Sequence, residues 1–455
     1  MAKTFRGGVR MDEHKNTEKS CIEKLPAPKC VHIPMSQHIG AHCKPLVKVG
    51  DTVDKGQLIG SGDSGLFCPI HASVSGKVTA IAETKMASGA SVTEIVIEND
   101  FEDRLDPSIK PFEKKLIGTE PSEIIEIVKN AGISGMGGAT FPTFAKISSA
   151  LGKVDTIIIN CAECEPFITA NHRLLLENPA SVINGLKILL RTFGLREGII
   201  AVEDNKPDAV KRLNELLKGS RLIRVEVLKT KYPQGDERQL IYALTDRELP
   251  AGKLPADVGC VVFNAETCSA IFNAFATGMP LIERVVTVDG DCVATPKNLL
   301  VPIGTPYSDL IEYCGGLKKT PWKLINGGPM MGSAQWNINA PVTKGTSAIL
   351  VFSDAYDKKY EIDPCCIRCG RCVRGCPMHL MPNYLAAFSS HGMLESAEKF
   401  DIMSCVECGT CSYNCPGNMP IVQLIRAAKG QIGDLKRARE RALAASASNE
   451  GKGDR

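Results

Sequence analysis

Apolar and polar positions change rhythm several times along the chain. Over residues 45–49, 52–55, 57–59, 75–80 and 92–97 they form short β-type runs broken by glycine turns, which predicts a small all-β domain. At 121–130 the period lengthens: Ile124, Ile125, Ile127 and Val128 recur at helical spacing and predict an amphipathic helix. Strand-length apolar runs follow at 156–159, 199–202, 225–228 and 260–263, with a helix over 207–217 between the second and third. Alternating strands and helices predict an α/β domain with its loops at the strand ends. From 285–289 a hairpin, a short helix at 307–313 and a strand at 322–326 predict a smaller unit. A helix is expected over 421–430. Beyond Asp434 the pattern predicts a charged helix and then a disordered Ala/Ser/Gly/Lys tail. Residues 1–30, polar and charged with Pro26 and Pro28, read as an extended arm.

The fold class is therefore multidomain, α/β and α+β, which agrees with the prior of about three domains for 455 residues. An apolar share of 44% is ample for sizeable cores. A net charge of +3 leaves no nucleic-acid footprint, and 5% aromatic residues argue against a base-stacking surface. No apolar run approaches a membrane span, so a soluble chain is expected, with any membrane link made through partners. Nineteen cysteines without a secretory signal imply a reducing compartment, with the thiols free or bound to metal.

Nine of those nineteen lie between residues 365 and 415. Cys366, Cys369, Cys372 and Cys376-Pro377 repeat as Cys405, Cys408, Cys411 and Cys415-Pro416, the bacterial ferredoxin run written twice. In such runs the fourth cysteine ligates the other cluster. Two [4Fe–4S] clusters are expected, held by Cys366, Cys369, Cys372 with Cys415, and by Cys405, Cys408, Cys411 with Cys376. Zinc would use one group of four ligands, and disulfides suit small secreted chains. Cys365 reads as a spare thiol. Cys21, Cys30, His32, Cys43, Cys68 and His71 match no metal template and read as scattered thiols and turn histidines.

A second candidate site begins in the loop 132–142, where Gly135, Gly137 and Gly138 allow backbone N–H groups to converge on a phosphate and Lys146 lies just beyond. It is neither a Walker A motif nor a Rossmann fingerprint, because a helix precedes it. Support comes from three loops at predicted strand ends: Asn160-Cys161-Ala162-Glu163-Cys164-Glu165, Tyr232-Pro233-Gln234-Gly235, and Asn264-Ala265-Glu266-Thr267.

Together these loops resemble the flavin- and NADH-binding subunit of respiratory complex I. Residues 31–97, with His38-Ile39-Gly40, Lys48-Val49-Gly50-Asp51 and 73–78, resemble a biotinyl/lipoyl-like barrel-sandwich without the carrier lysine hairpin. The order of domains over about 31–430 resembles the RnfC family, the NADH-side subunit of membrane-bound, ion-pumping ferredoxin:NAD oxidoreductases. The resemblance implies an arm at 1–30, a barrel-sandwich at 31–115 and an FMN/NADH-binding domain at 116–282. It further implies a soluble-ligand-binding β-grasp module at 283–354, a two-cluster domain at 355–430 and a charged tail at 431–455.

It also implies FMN, with Gly135, Gly137, Gly138 and Lys146 around its phosphate and Asn160, Tyr232, Gly235 and Asn264 around its ring and ribityl chain. Glu163 and Glu165 would face the nicotinamide and its ribose of NAD(H), and Phe141 and Phe144 the adenine. Thr140 stands where complex I has glycine, and Ala162 where it has aspartate. The expected activity is hydride exchange with NAD(H) at FMN and one-electron passage through two clusters, with FMN as the converter. The partners implied are the other subunits of an Rnf-type complex and, indirectly, ferredoxin, on the cytoplasmic face of the membrane. Two other readings are a flavin/iron–sulfur cobalamin reductase, disfavoured by domain order, and a ferredoxin-like carrier with an empty flavin domain.

Overall fold

Alternating side chains build the first domain. In the computed structural model, which describes residues 2–356 and 363–450, strands Cys30–Pro34, Ser91–Asn99, Gly76–Lys85 and Thr52–Val53 form one sheet in that order. Lys44–Pro45, Leu58–Ser61 and Ile70–His71 form a second. Val31 pairs with Ile97 and Ile33 with Ile95, so every second residue faces inward. Ile59, Ile70 and Val78 complete a core without water access. The run predicted over 45–49 is mostly not a strand. Asp51 accepts from the backbone N–H of Lys48 at 2.7 Å and turns the chain there.

The next four apolar runs become parallel strands, Thr156–Cys161, Gly198–Glu203, Ile223–Leu228 and Cys260–Asn264. Their spatial order is third, second, first, fourth. Each strand is apolar on both faces because helices cover both. Ile157, Ile159, Ile200, Val202 and Phe263 point into one core, and Ile158, Ile199, Ala201 and Val262 into the other. Helices Pro179–Phe193 and Ala265–Thr277 pack closely on one face. Gly185 permits this, since a Cβ there would stand 2.0 Å from the Cys268 carbonyl oxygen.

A mixed six-stranded sheet follows, in the order Ile22–Lys24, Lys297–Pro302, Glu283–Asp289, Ala348–Phe352, Lys323–Asn326, Ser333–Gln335. Helix Tyr307–Tyr313 packs on it through Tyr307, Leu310 and Ile311. Its outermost strand comes from the N-terminal arm, pairing in parallel with Lys297–Pro302. The arm expected over 1–30 is thus extended but packed. Lys3 bridges to Leu228, His14 stacks on Phe167 at 4.9 Å, and Thr17 is fully buried.

Those elements form one compact unit; residues 5–10, 231–233 and the C-terminal region form another. In the second, short helices Arg371–Gly375 and Thr410–Tyr413 each follow a cysteine loop. Helices Pro382–Ser390, Leu394–Lys399 and Ile421–Glu450 surround a core of Leu385, Ala386, Ile402, Ile425 and Ile432. The last helix overruns its expected end at 430 and the expected disordered tail. Lys436 pairs with Glu398 and Arg437 with Asp434, and its alanines have the strongest helix propensity. The part of that tail over 451–455 lies outside the described residues.

Candidate functional site

The reversal of strand order between Thr156–Cys161 and Cys260–Asn264 opens a crevice at their carboxyl ends, where ligands bind in α/β sheets. Asn160 and Asn264 are direct cross-strand partners at that edge. Asn160 donates to the Gly235 carbonyl at 2.8 Å and accepts from the Ala162 N–H at 3.0 Å. Asn264 caps helix Ala265–Thr277 by accepting from the Glu266 N–H at 2.8 Å. Gly235 is packed so closely that a Cβ would meet the Ala162 carbonyl oxygen at 2.6 Å.

The glycine loop lies over the same edge. Its base is closed by the Gly135 N–H donating to the Phe141 carbonyl at 2.9 Å, and the Met136 N–H donates to the Thr267 hydroxyl at 2.9 Å. A Cβ on Gly137 would touch the Asn264 side chain at 3.2 Å, whereas nothing lies within 4 Å of one on Gly138. The loop therefore leaves open space beside its N–H groups, which fits a phosphate-bearing cofactor such as FMN. Thr140 adopts φ +49°, a left-handed conformation that a β-branched residue strongly disfavours. Phe141 is 37% exposed at the rim. Lys146 pairs with Glu237 at 2.7 Å, a partner the sequence did not reveal.

The two expected carboxylates are already engaged. Glu163 is buried and accepts from the N–H groups of Asn171 and His172 at 2.8 and 3.3 Å, at the start of helix Ala170–Glu177. Glu165 accepts from the N–H groups of Met330 and Met331 at 3.0 and 2.9 Å. Burial pushes its pKa up to about 7, against the lowering effect of those two donors. Beneath both lies Lys15 from the N-terminal arm. Its ammonium donates to the carbonyls of Glu163, Glu165 and Ile168 at 2.8, 2.8 and 2.6 Å. Burial and the nearby Lys206 lower its pKa. Lys206 itself pairs with Glu203 at 3.0 Å, and Glu203 Oε1 has no hydrogen-bond partner. None of Lys15, Glu203 and Lys206 carried a motif signal.

Tyr232 belongs to the second unit, where its hydroxyl donates to the Cys408 carbonyl at 2.7 Å. In that unit the doubled cysteine spacing appears as a doubled backbone. Arg368 and Glu407 share φ near +55°, Gly370 and Gly409 near +75°, and His379 and Asn418 near +53°. A cavity is lined by Cys376, Cys405, Cys408 and Cys411 with Leu380 and Ile425. Burial pushes the Cys411 thiol up to about 12, and Cys405, Cys408 and Cys376 add to the rise. Burial also raises Cys372, which Cys415 raises further. Among the described residues no three His, Cys, Asp or Glu side chains converge on one metal ion. A single ion draws its thiolates to within ~4 Å of one another, given Zn–S bonds of about 2.3 Å, whereas a cube holds them at separate corners. The donor set and its grouping fit iron–sulfur cubes. The two loops differ in access: Cys366 and Cys369 are exposed, Cys408 and Cys411 buried.

These features define a flavin and iron–sulfur electron-transfer protein, and the comparisons agree. The RnfC barrel sandwich hybrid domain matches residues 3–102, the Nuo51 FMN-binding domain 128–273, the SLBB domain 285–334 and the 4Fe-4S dicluster domain 365–419. The chain is 44% identical to the RnfC-type subunit of the Na(+)-translocating ferredoxin:NAD(+) oxidoreductase complex of Acetobacterium woodii, over 94% of this chain and 97% of that one. It is also 44% identical to the proton-translocating counterpart of Clostridium ljungdahlii, over 95% and 94%. Identity to the corresponding subunit of the ion-translocating oxidoreductase complex of Rhodobacter capsulatus is 42%, over 95% and 83%. Among solved structures, a NAD+-reducing [NiFe]-hydrogenase is similar with TM-score 0.49 and 18% identity, over 70% of this chain and 64% of that one.

The chain belongs to the RnfC family. It is a mixed α/β multidomain protein with barrel-sandwich hybrid, FMN-binding, SLBB and 4Fe–4S domains.

Proposed function

We propose that this chain is the RnfC-type electron-transfer subunit of an ion-translocating ferredoxin:NAD+ oxidoreductase, exchanging hydride with NAD(H) and passing single electrons to or from partner subunits. The observation that carries the reading is the glycine loop lying over the paired Asn160 and Asn264 at the strand-order reversal. When bound, FMN supplies the conversion between two-electron hydride and one-electron carriers. Gly135, Gly137 and Gly138 present N–H groups to its phosphate, and Lys146, held by Glu237, adds charge nearby. Asn160, Gly235 and Asn264 line the ring and ribityl side, with Tyr232 linking that loop's sequence to the cysteine backbone.

Phe141 and Phe144 offer faces for the adenine. Glu163 and Glu165 set the nicotinamide side of the crevice, where their bonds to Asn171, His172, Met330 and Met331 hold the loop between them rigid. Two [4Fe–4S] clusters are held by Cys366, Cys369, Cys372 with Cys415 and by Cys405, Cys408, Cys411 with Cys376; the grouping of thiols in each set supports this crossed arrangement. The domains run over 31–115, 116–282, 283–354 (a β-grasp module) and 355–430, after an arm at 1–30 and before a tail at 431–455. No helix among the described residues is long and apolar enough to cross a membrane, so the chain is peripheral to its membrane complex, on the cytoplasmic face.

The test separates the two halves of the chain. A variant lacking Cys366, Cys369 and Cys372 should still reduce ferricyanide with NADH, while electron delivery to the membrane partner is lost. Loss of ferricyanide reduction in a folded, flavin-loaded variant would refute hydride exchange ahead of the clusters. Acid extraction should release FMN; release of FAD, or no flavin after reconstitution, would refute the cofactor assignment.

A further inference from the structure

The two cysteine loops are copies in backbone but opposites in charge and access. Where the second has Glu407, Thr410 and Tyr413, the first has Arg368, Arg371 and Arg374. Glu407 is neutralised by Arg426 at 2.8 Å and Lys429 at 2.6 Å, and Lys429 also donates to the Cys405 carbonyl. The three arginines are all exposed, and none has an ion pair among the described residues. Between them Ile367 is 64% exposed, beside the exposed Cys366 and Cys369. One loop is thus enclosed and charge-balanced, whereas the other shows an apolar centre ringed by guanidinium groups directly over its thiols.

We propose that the loop 365–374 is the docking port for an acidic face of another subunit of the same complex, one that carries a one-electron centre. This rests on the function proposed above. Electron tunnelling decays steeply with distance, so a partner must approach the thiols that reach the surface, and these are Cys366 and Cys369. An apolar centre with an arginine rim is the anatomy of a specific interface. Uncompensated guanidinium groups select carboxylates, to which they bind bidentately. A standing subunit fits better than a passing carrier, because the same unit also exposes Met381, Tyr384, Met393, Phe400 and Met403 at 39–50%, more apolar surface than a brief, charge-steered encounter uses. Each transfer moves one electron between the partner's centre and this chain, and no group moves with it. Two transfers and one proton balance each NAD+ reduced to NADH.

The test is rebinding of the full, cluster- and flavin-loaded chain to membranes stripped of it but retaining the rest of the complex. The triple variant Arg368→Gln, Arg371→Gln, Arg374→Gln should rebind about tenfold or more weakly at ~0.1 M salt, and lose most of the salt dependence of the wild type. An equal charge loss at the exposed Lys187, Arg212 and Lys218 should change rebinding less than about twofold. Iron content, flavin content and NADH–ferricyanide activity should be unchanged in both, which separates failure of the port from failure of the proposed function. Unchanged rebinding of the arginine variant would overturn the proposal. So would wild-type binding to protein-free phosphatidylglycerol vesicles that the same substitutions abolish, since the loop would then serve lipid. If the variant loses iron, the wild type's rebinding across a salt series decides, and a flat series overturns the port.

Discussion

Lys15→Met removes one ammonium that satisfies three carbonyls of the loop 163–168 at 2.6–2.8 Å. Hydrogen bonds from a charged donor contribute about 1.5–3 kcal/mol each, but burying the ammonium costs several kcal/mol, which methionine does not incur. Truncating one side of a buried charged contact typically costs about 3–5 kcal/mol, and three orphaned carbonyls place this case in that range. At roughly 2–4 °C per kcal/mol for a domain of this size, Tm should fall by about 10 °C. The loop carries Glu163 and Glu165, so its loosening should raise KM for NADH more than it lowers kcat. Differential scanning calorimetry and NADH–ferricyanide kinetics on the flavin-loaded protein measure both. A Tm change under about 2 °C with unchanged KM would show that the arm does not hold the loop.

Glu165 titrates near 7 when folded and at 4.5 when free, so the folded state binds its proton more tightly and stability falls as pH rises from 4.5 through 7. The difference of about 2.5 units corresponds to at most about 3 kcal/mol. Glu165→Gln should remove that slope, and parallel Tm curves for wild type and variant across this range would contradict it. Thr140→Gly should relieve the left-handed strain and raise Tm by about 1–3 °C with flavin retained; a lower Tm would show that the threonine is held by more than its backbone. Cys415→Ser should damage the cluster of Cys366, Cys369 and Cys372, as read by electron paramagnetic resonance. Loss of the signal from the Cys405–Cys411 loop instead would disprove crossed ligation.

What the sequence made legible follows from how local each signal is. The cysteine runs carry their geometry within eleven residues, and the strand-length apolar runs announce a sheet covered on both faces. The glycine loop shows its freedom in its composition, although the strained Thr140 within it does not. Contacts that join distant segments left no trace. Lys15 acts about 150 residues away, Glu237 reaches Lys146 from 91 residues off, and Tyr232 meets Cys408 across 176. Glu163 and Glu165 stand out as acids at a strand end. Only the fold reveals that their oxygens are occupied by backbone donors. The final helix runs past Gly430, where a lone glycine reads as a stop, because its ion pairs and alanines outweigh that cost.

The strand Ile22–Lys24 closes a sheet whose matching edge, Asn298–Leu300, is encoded some 275 residues later. During synthesis from the N-terminus, at about 5–20 residues per second, the arm therefore leaves the ribosome long before its docking edge exists. For roughly a quarter of a minute or more at those rates it must stay solvated and unpaired. Its polar, proline-punctuated composition suits that interval, because it offers little for premature collapse. The earliest-made residues are thus among the last to settle, and the arm acts as a fastener closed after the domains it joins have formed.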